Sequence, residues 1–220
     1  MLKLSGLGKS YPHPSGAVTV LTGIDALIED GERIAIIGPS GSGKSTLLAL
    51  LSGLDQPTSG TIELAGKVLG SLSERELTAY RARYLGIVFQ QFHLMGHLSA
   101  LENVTLPLRI AGHVEVDARA VKALQDVGLG HRLNHLPQQL SGGECQRVAI
   151  ARAIVGEPPL ILADEPSGNL DAKTGDQVMQ LLFDLVRQRR STLVLVTHNE
   201  HLASWCDRRL LLSGGHLVDV

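Results

Sequence analysis

Cysteine is scarce in this chain: Cys145 and Cys206 are the only two in 220 residues. Two are too few for a disulfide framework or a four-cysteine zinc site, so both are expected to be thiols in a reducing compartment. Long apolar runs are missing too. Residues 47–51 and 193–196 are among the longest, far below the roughly 20 residues a membrane-spanning helix needs, and no segment is expected to cross a bilayer. The amino terminus has an early lysine but no apolar signal core with a small-residue cleavage site, which predicts a cytoplasmic location. Positive charge is not in excess. With 20 Lys and Arg against 22 Asp and Glu, the formal charge of −2 argues against affinity built on neutralising nucleic-acid phosphates, and no nucleic-acid partner is expected. Aromatics are few at 3%, but 44% hydrophobic residues over this length can build one sizeable core with a small appended subdomain.

Apolar runs of strand length alternate with longer segments of helical period, the pattern of an α/β domain around a largely parallel sheet. Strands are predicted at residues 2–4, 24–28, 33–37, 61–64, 85–90, 160–163 and 192–196. A helix begins near Lys44, with Gly53 as its stop, and Ser73 and Glu76 have capping-box spacing ahead of another. Helices dominate residues 91–155. Asp117 is expected to cap one that buries Val121, Leu124 and Val127 and ends at Gly128. Val178, Leu181, Leu182 and Leu185 mark the buried stripe of a later helix, and Gly214 and Gly215 predict a hairpin near the end.

Between the strand at 33–37 and the helix at Lys44 runs Gly38-Pro39-Ser40-Gly41-Ser42-Gly43-Lys44-Ser45, followed by Thr46, a complete phosphate-binding loop. Glycines let backbone N–H groups close around phosphates, Lys44 can reach the β- and γ-phosphates, and Ser45 can ligate Mg²⁺. The apolar strand at 160–163 delivers Asp164 and Glu165 to its carboxyl end, where ligands collect in open α/β sheets. Asp164 suits a magnesium shell and Glu165 the attacking water, although an isolated acidic pair also serves as a helix cap or a solvated strand end. In Leu140-Ser141-Gly142-Gly143-Glu144, Ser141 and Glu144 make a capping box, but a cap does not need two glycines. The same segment is suited to a second anion site at a helix start.

Taken in order, these segments resemble the ATP-binding cassette (ABC) ATPases over nearly the whole chain. The resemblance implies ATP and Mg²⁺ as cofactors and an α/β P-loop fold with a RecA-like, mostly parallel sheet core, an amino-terminal β subdomain and a helical subdomain. The core would take residues 1–90 and 156–220, and the helical subdomain 91–155. By the same resemblance, residues 38–46 are the Walker A loop, 160–165 the Walker B strand, 140–144 the signature and 167–171, ending in Asp171, the D-loop. His198 resembles the switch histidine at the γ-phosphate, and Gln90, with Gln91 adjoining, the glutamine that senses magnesium and the attacking water. Tyr11 stands where the family stacks an aromatic on adenine, though a lone tyrosine at a strand end also packs. The implied partners are a second copy, head to tail around two ATP, and an integral membrane permease, placing the chain on the cytoplasmic face of the inner membrane. Residues 101–104 and 168–171 resemble the lipoprotein-release, macrolide-export and cell-division group.

A regulatory ABC ATPase that transmits force without moving a solute has the same sequence features, whereas the DNA-repair branch needs long insertions absent here. Cys145 replaces a common Gln or Arg and introduces an expected thiol-reagent sensitivity. Phe92, Leu94 and Met95 are apolar where a loop is expected, which reads either as a docking surface or as anchors of the helical subdomain. His131 and His135 have helical i, i+4 spacing without a catalytic glutamate and are not read as metal ligands. Arg187, Arg189 and Arg190 are expected to be a solvated cluster complementing a helix dipole.

Overall fold

The computed structural model describes residues 1–14 and 16–220. They form two compact units, Met1–Thr78 with Thr192–Val220, and Ala79–Ser191. The first unit opens with β1 (Leu2–Tyr11), β2 (Val18–Ile28), β3 (Arg33–Ile37), α1 (Lys44–Leu51), β4 (Ser59–Leu64) and β5 (Lys67–Val68). β1, β2, β4 and β5 make an antiparallel sheet in the order β2-β1-β4-β5. One face of it is apolar, with Leu2, Leu4, Ile28, Ile62 and Leu64 buried. β1 runs further than its apolar start suggests, to Tyr11, through register shifts that let Leu7 and Lys9 turn inward.

The chain then passes through α2 (Glu74–Tyr84), where Ser73 and Glu76 form the expected reciprocal cap. The second unit carries β6 (Leu85–Phe89), α3 (Ala100–Ile110), α4 (Val116–Asp126), α5 (Gly142–Ile154), β7 (Leu160–Asp164) and α6 (Ala172–Arg189). β8 (Thr192–Val196), α7 (Glu200–Ala203), β9 (Arg208–Ser213) and β10 (His216–Asp219) complete the first unit.

Two parallel ladders set the functional ends. In the first unit β3 lies between β8 and β9, pairing Ile34 with Val194 and Ile36 with Leu210. All five β8 residues are buried, as an unbroken apolar run in a parallel sheet requires. Gly38 and His198 therefore leave their strands at the same carboxyl edge. In the second unit β6 and β7 pair in parallel, Leu85 with Leu160 and Phe89 with Asp164, so Gln90 and Glu165 also emerge together. α5 lies directly on β6: a Cβ on Gly86 would meet the Ala153 carbonyl oxygen at 2.2 Å.

Three expectations change. Asp117 is not the cap of α4; Glu115, with φ 53°, precedes the helix without a side-chain cap, and Asp117 sits inside the first turn. Turn geometry before the helix overrides the residue type. On α6 Leu181 is only half-buried, while Val178, Leu182 and Leu185 are joined by Met179, Phe183 and Val186. Arg189 is not simply solvated. Its guanidinium donates to the Ile154 carbonyl at 2.7 Å and pairs with Asp126 at 3.4 Å, tying α6 to α5 and α4.

Candidate active site

The phosphate loop follows from the short β3 and the glycines after it. A Cβ at Gly38 would lie 2.3 Å from the Leu212 carbonyl oxygen, so the chain can turn off the sheet here only without a side chain. Gly43 precedes α1 with φ 100°, and α1 has neither a side-chain cap nor an acidic residue in its first turn. By contrast α3, α5 and α6 are capped by Ser99, Ser141 and Asp171. An uncapped helix start with its positive dipole end behind a glycine loop fits an anion. The Ser42 hydroxyl oxygen is buried with no hydrogen-bond partner among the described residues, a second feature that a phosphate would satisfy. Lys44 is buried, its ammonium donating to the carbonyls of Gly38 and Pro39, both at 2.9 Å. Ser45, Pro39, Ser40 and Gly41 are exposed, and Thr46 is half-buried. His198 is exposed immediately beyond Thr197, whose amide donates to Ile36 at 3.2 Å. Tyr11, at the end of β1, keeps 37% of its surface exposed.

In the second unit Asp164 ends β7 half-buried, and Glu165 follows in a left-handed conformation, φ 42°. A non-glycine residue held there is strained, and strain of this kind collects at functional sites. Gln90, half-buried at the end of β6, makes a reciprocal pair with Asn169: its Nε2 donates to Oδ1 at 3.2 Å and its carbonyl accepts from Nδ2 at 3.0 Å. Gln91 is exposed and makes no part of this pair. Asp171 caps α6, accepting from the Thr174 amide at 3.0 Å, and the bonds from Thr174 hold its carboxyl below the usual range. Hard oxygen donors of Ser, Asp and Gln type suit Mg²⁺, which commonly takes one or two protein carboxylates beside phosphate oxygens.

At the signature, the Ser141 amide donates to Glu144 at 2.8 Å while the Ser141 hydroxyl accepts from the Glu144 amide at 3.2 Å. The Ser141 amide lowers the Glu144 pKa first, with Arg132 helping against burial. This cap takes the amide of Glu144 and leaves those of Gly142 and Gly143 out of it. Packing is tighter at the second glycine: a Cβ at Gly143 would collide with Thr174 at 2.5 Å, whereas one at Gly142 would press on the end of the Leu170 side chain at 3.3 Å. Cys145 departs from expectation. It is 7% exposed, its thiol is directed at the Pro137 carbonyl at 3.4 Å, and burial pushes its pKa up. A thiol so placed is a poor nucleophile.

Sequence reasoning did not find four residues that hold these parts. Lys9 and Asp55 surround Tyr11. Gln146, wholly buried on α5, donates to the Phe89 carbonyl at 3.3 Å, just before Gln90. Arg152, one and a half turns further, donates to the carbonyls of Phe92 and His93 at 2.8 and 2.6 Å. Those two residues are both left-handed, φ 57° and 47°. The available signal for the α5 pair was a glutamine and an arginine interrupting an apolar helix. The apolar loop itself divides: Phe92 and Leu94 are half-buried, and a Cβ added at Gly142 would meet the Phe92 ring edge at 3.9 Å, whereas Met95 is 46% exposed.

A phosphate loop, an acidic strand end and a capped glycine-rich helix start on a parallel α/β sheet define an ATP-hydrolysing P-loop cassette that uses Mg²⁺. Residues 21–168 match the ABC transporter family, and the chain belongs to it. It is 49% identical to the lipoprotein-releasing system ATP-binding protein LolD of Psychrobacter arcticus, over 98% of this chain and 97% of that protein. It is 48% identical to the ABC transporter ATP-binding protein YbbA of Escherichia coli K12, over 100% and 97%. Among solved structures, the dimeric post-hydrolysis state of the ATP-binding cassette MJ0796 bound to ADP and Pi superposes with a TM-score of 0.92 at 41% identity, covering 100% of this chain and 98% of that one. No helix among the described residues is long and apolar enough to cross a membrane.

Proposed function

We propose that two copies of this chain close head to tail around two ATP molecules and reopen after hydrolysis, driving an integral membrane permease from the cytoplasmic face of the inner membrane. The observation that carries the reading is the uncapped start of α1 behind its glycine loop, with Lys44 and the buried Ser42 hydroxyl at the same place. Lys44 and the loop of residues 38–46, through its backbone N–H groups other than at Pro39, would hold the β- and γ-phosphates, and Ser45, Asp164 and Gln90 would hold Mg²⁺. Bound there, the metal would supply positive charge beside the phosphate oxygens. Glu165 orients the attacking water and takes its proton, and His198 contacts the γ-phosphate. Tyr11 stacks on adenine. Ser141, Gly142, Gly143 and Glu144 of one copy complete the nucleotide site of the other, with Asp171 and the D-loop at the shared surface. The dimeric MJ0796 cassette supports the pairing, and the naming of the Psychrobacter relative as part of a lipoprotein-releasing system supports a membrane partner. Residues 91–155 act as the signature-bearing subdomain, and the exposed Met95 with its half-buried neighbour Leu94 receives the permease.

Complementation tests the shared site. Lys44→Ala and Ser141→Arg should each be inactive alone. Mixed, they form heterodimers with one site built from an intact phosphate loop and an intact signature, and hydrolysis should partly return. Two inactive proteins that remain inactive after mixing, although they still associate, would exclude the head-to-tail arrangement.

A further inference from the structure

Tyr11 is the last residue of β1, and its backbone is fixed on one side by pairing with Val18. A ring at a strand end still turns about its side-chain bonds. Here the turning is restricted by a closed triangle. The Tyr11 hydroxyl donates to Asp55 Oδ2 at 2.8 Å, Lys9 Nζ donates to Asp55 Oδ1 at 2.6 Å, and the same ammonium stands 4.7 Å from the centre of the Tyr11 ring. Lys9 is 9% exposed and also donates to the Gln56 carbonyl at 2.8 Å, while Asp55 Oδ1 accepts from the Gln56 amide at 2.7 Å. The two ends of the triangle lie 44 residues apart in the chain.

We propose that Asp55 and Lys9 are positioning residues for the nucleotide base: they fix the Tyr11 ring in one orientation, with the ammonium against one face and the exposed surface left to stack on adenine. The inference rests on the stacking reading of Tyr11. Three features carry it. The tyrosine hydroxyl is held by a carboxylate at its tip, so a phenylalanine would keep the ring and lose the tether. The carboxylate is held in turn by a buried ammonium, so it does not swing with solvent. The ammonium covers part of the ring by a cation–π contact, which leaves the ring one-sided as a stacking platform. A ring already fixed loses less rotamer freedom when a base lands on it, and a side-chain ordering cost of about 1 kcal/mol corresponds to roughly fivefold in affinity.

The test compares ATP with inorganic tripolyphosphate as competing ligands in hydrolysis and equilibrium-binding assays. Asp55→Asn and Tyr11→Phe should each raise the KM for ATP by roughly fivefold with little change in kcat, leave tripolyphosphate affinity unchanged, and combine to no more than either alone. Lys9→Met should do the same. A purely structural corner would weaken ATP and tripolyphosphate alike, or lower kcat, and either result overturns the proposal. Effects of Asp55→Asn and Tyr11→Phe that multiply in the double variant also overturn it. Tyr11→Ala separates the two readings. If it leaves the ATP KM unchanged, the stacking reading itself fails; if it raises KM while Asp55→Asn and Lys9→Met do not, stacking stands and the tether falls. Should Lys9→Met fail to fold, the Asp55 and Tyr11 pair decides alone.

Discussion

Gly86→Ala adds one methyl group at the place where β6 and α5 touch. The new Cβ would sit 2.2 Å from the Ala153 carbonyl oxygen and 2.8 Å from Ile161 Cδ1. The first obstacle is helix backbone, so no rotamer change relieves it, and helix and strand must part by about 1 Å. Overpacking of this severity belongs at the upper end of the usual range, about 3 kcal/mol. The methyl also restricts the unfolded chain, which returns about 0.5–1 kcal/mol. A net loss of about 2 kcal/mol lowers the melting temperature by roughly 4–8 °C in a chain of this size. Gly70→Ala is the matched control: its Cβ meets nothing within 4 Å and its backbone is not left-handed, so it should melt within about 1 °C of the parent. Thermal unfolding followed by near-UV circular dichroism, with ATPase assays at a temperature where both variants are folded, reads the outcome. Gly86→Ala should also lower kcat more than it raises KM, because the displaced strand ends beside Gln90. A Gly86→Ala melting point within about 2 °C of the parent would show that the helix and strand have room to give, and the reasoning from backbone contact would fail.

Glu165→Gln should bind ATP within about twofold of the parent and lose on the order of 100-fold or more in turnover, because the proposed proton acceptor is gone while the phosphate loop is intact; turnover near the parent rate would remove Glu165 from that role. Acid should act through the Arg33 and Asp207 pair. The Arg33 side chain holds Asp207 well below the ordinary carboxylate range, so its contribution is full above the unfolded-chain pKa and disappears as pH falls through the lower folded value. Asp207→Asn should therefore flatten the decline of stability below about pH 4, and an unchanged slope in pH-dependent denaturant melts would contradict this. Thiol reagents should modify Cys145 slowly in the folded chain, and Cys145→Ser should leave ATPase inhibition by such reagents unaltered; rapid labelling in a native titration would contradict its burial. Leu94→Asp should leave nucleotide binding intact and abolish permease-stimulated hydrolysis, and undiminished stimulation would remove the loop from the docking surface.

Much of the fold could be read directly. Residues 33–37 and 192–196 are strands with the bounds that their apolar runs predict, because a strand buried on both faces has nothing to blur its ends. Gly53 and Gly128 stop their helices with φ 65° and 77°, values that glycine adopts at little cost. Ser141 and Glu144 cap α5 as their spacing requires, because a cap is a contact between near neighbours. What escaped the sequence was long-range. Asp55 and Lys9 carry no local mark of their link to Tyr11, and Gln146 and Arg152 read as interruptions of an apolar helix until the loop they hold is seen. The Asp117 cap failed for a different reason: the chain enters α4 through a left-handed Glu115, a backbone choice that residue preference alone does not reveal.

Arg152 holds the loop after Gln90 through two neutral carbonyl acceptors, and burial lowers its pKa. Lys122 with Asp126 and Arg187 with Asp184 are instead exposed ion pairs, which dissolved salt screens. The acceptors in the Arg152 grip are neutral, so dissolved cations have no anion there to compete for. The shape of the loop beside the proposed catalytic glutamine should therefore depend less on ionic strength than those surface pairs do.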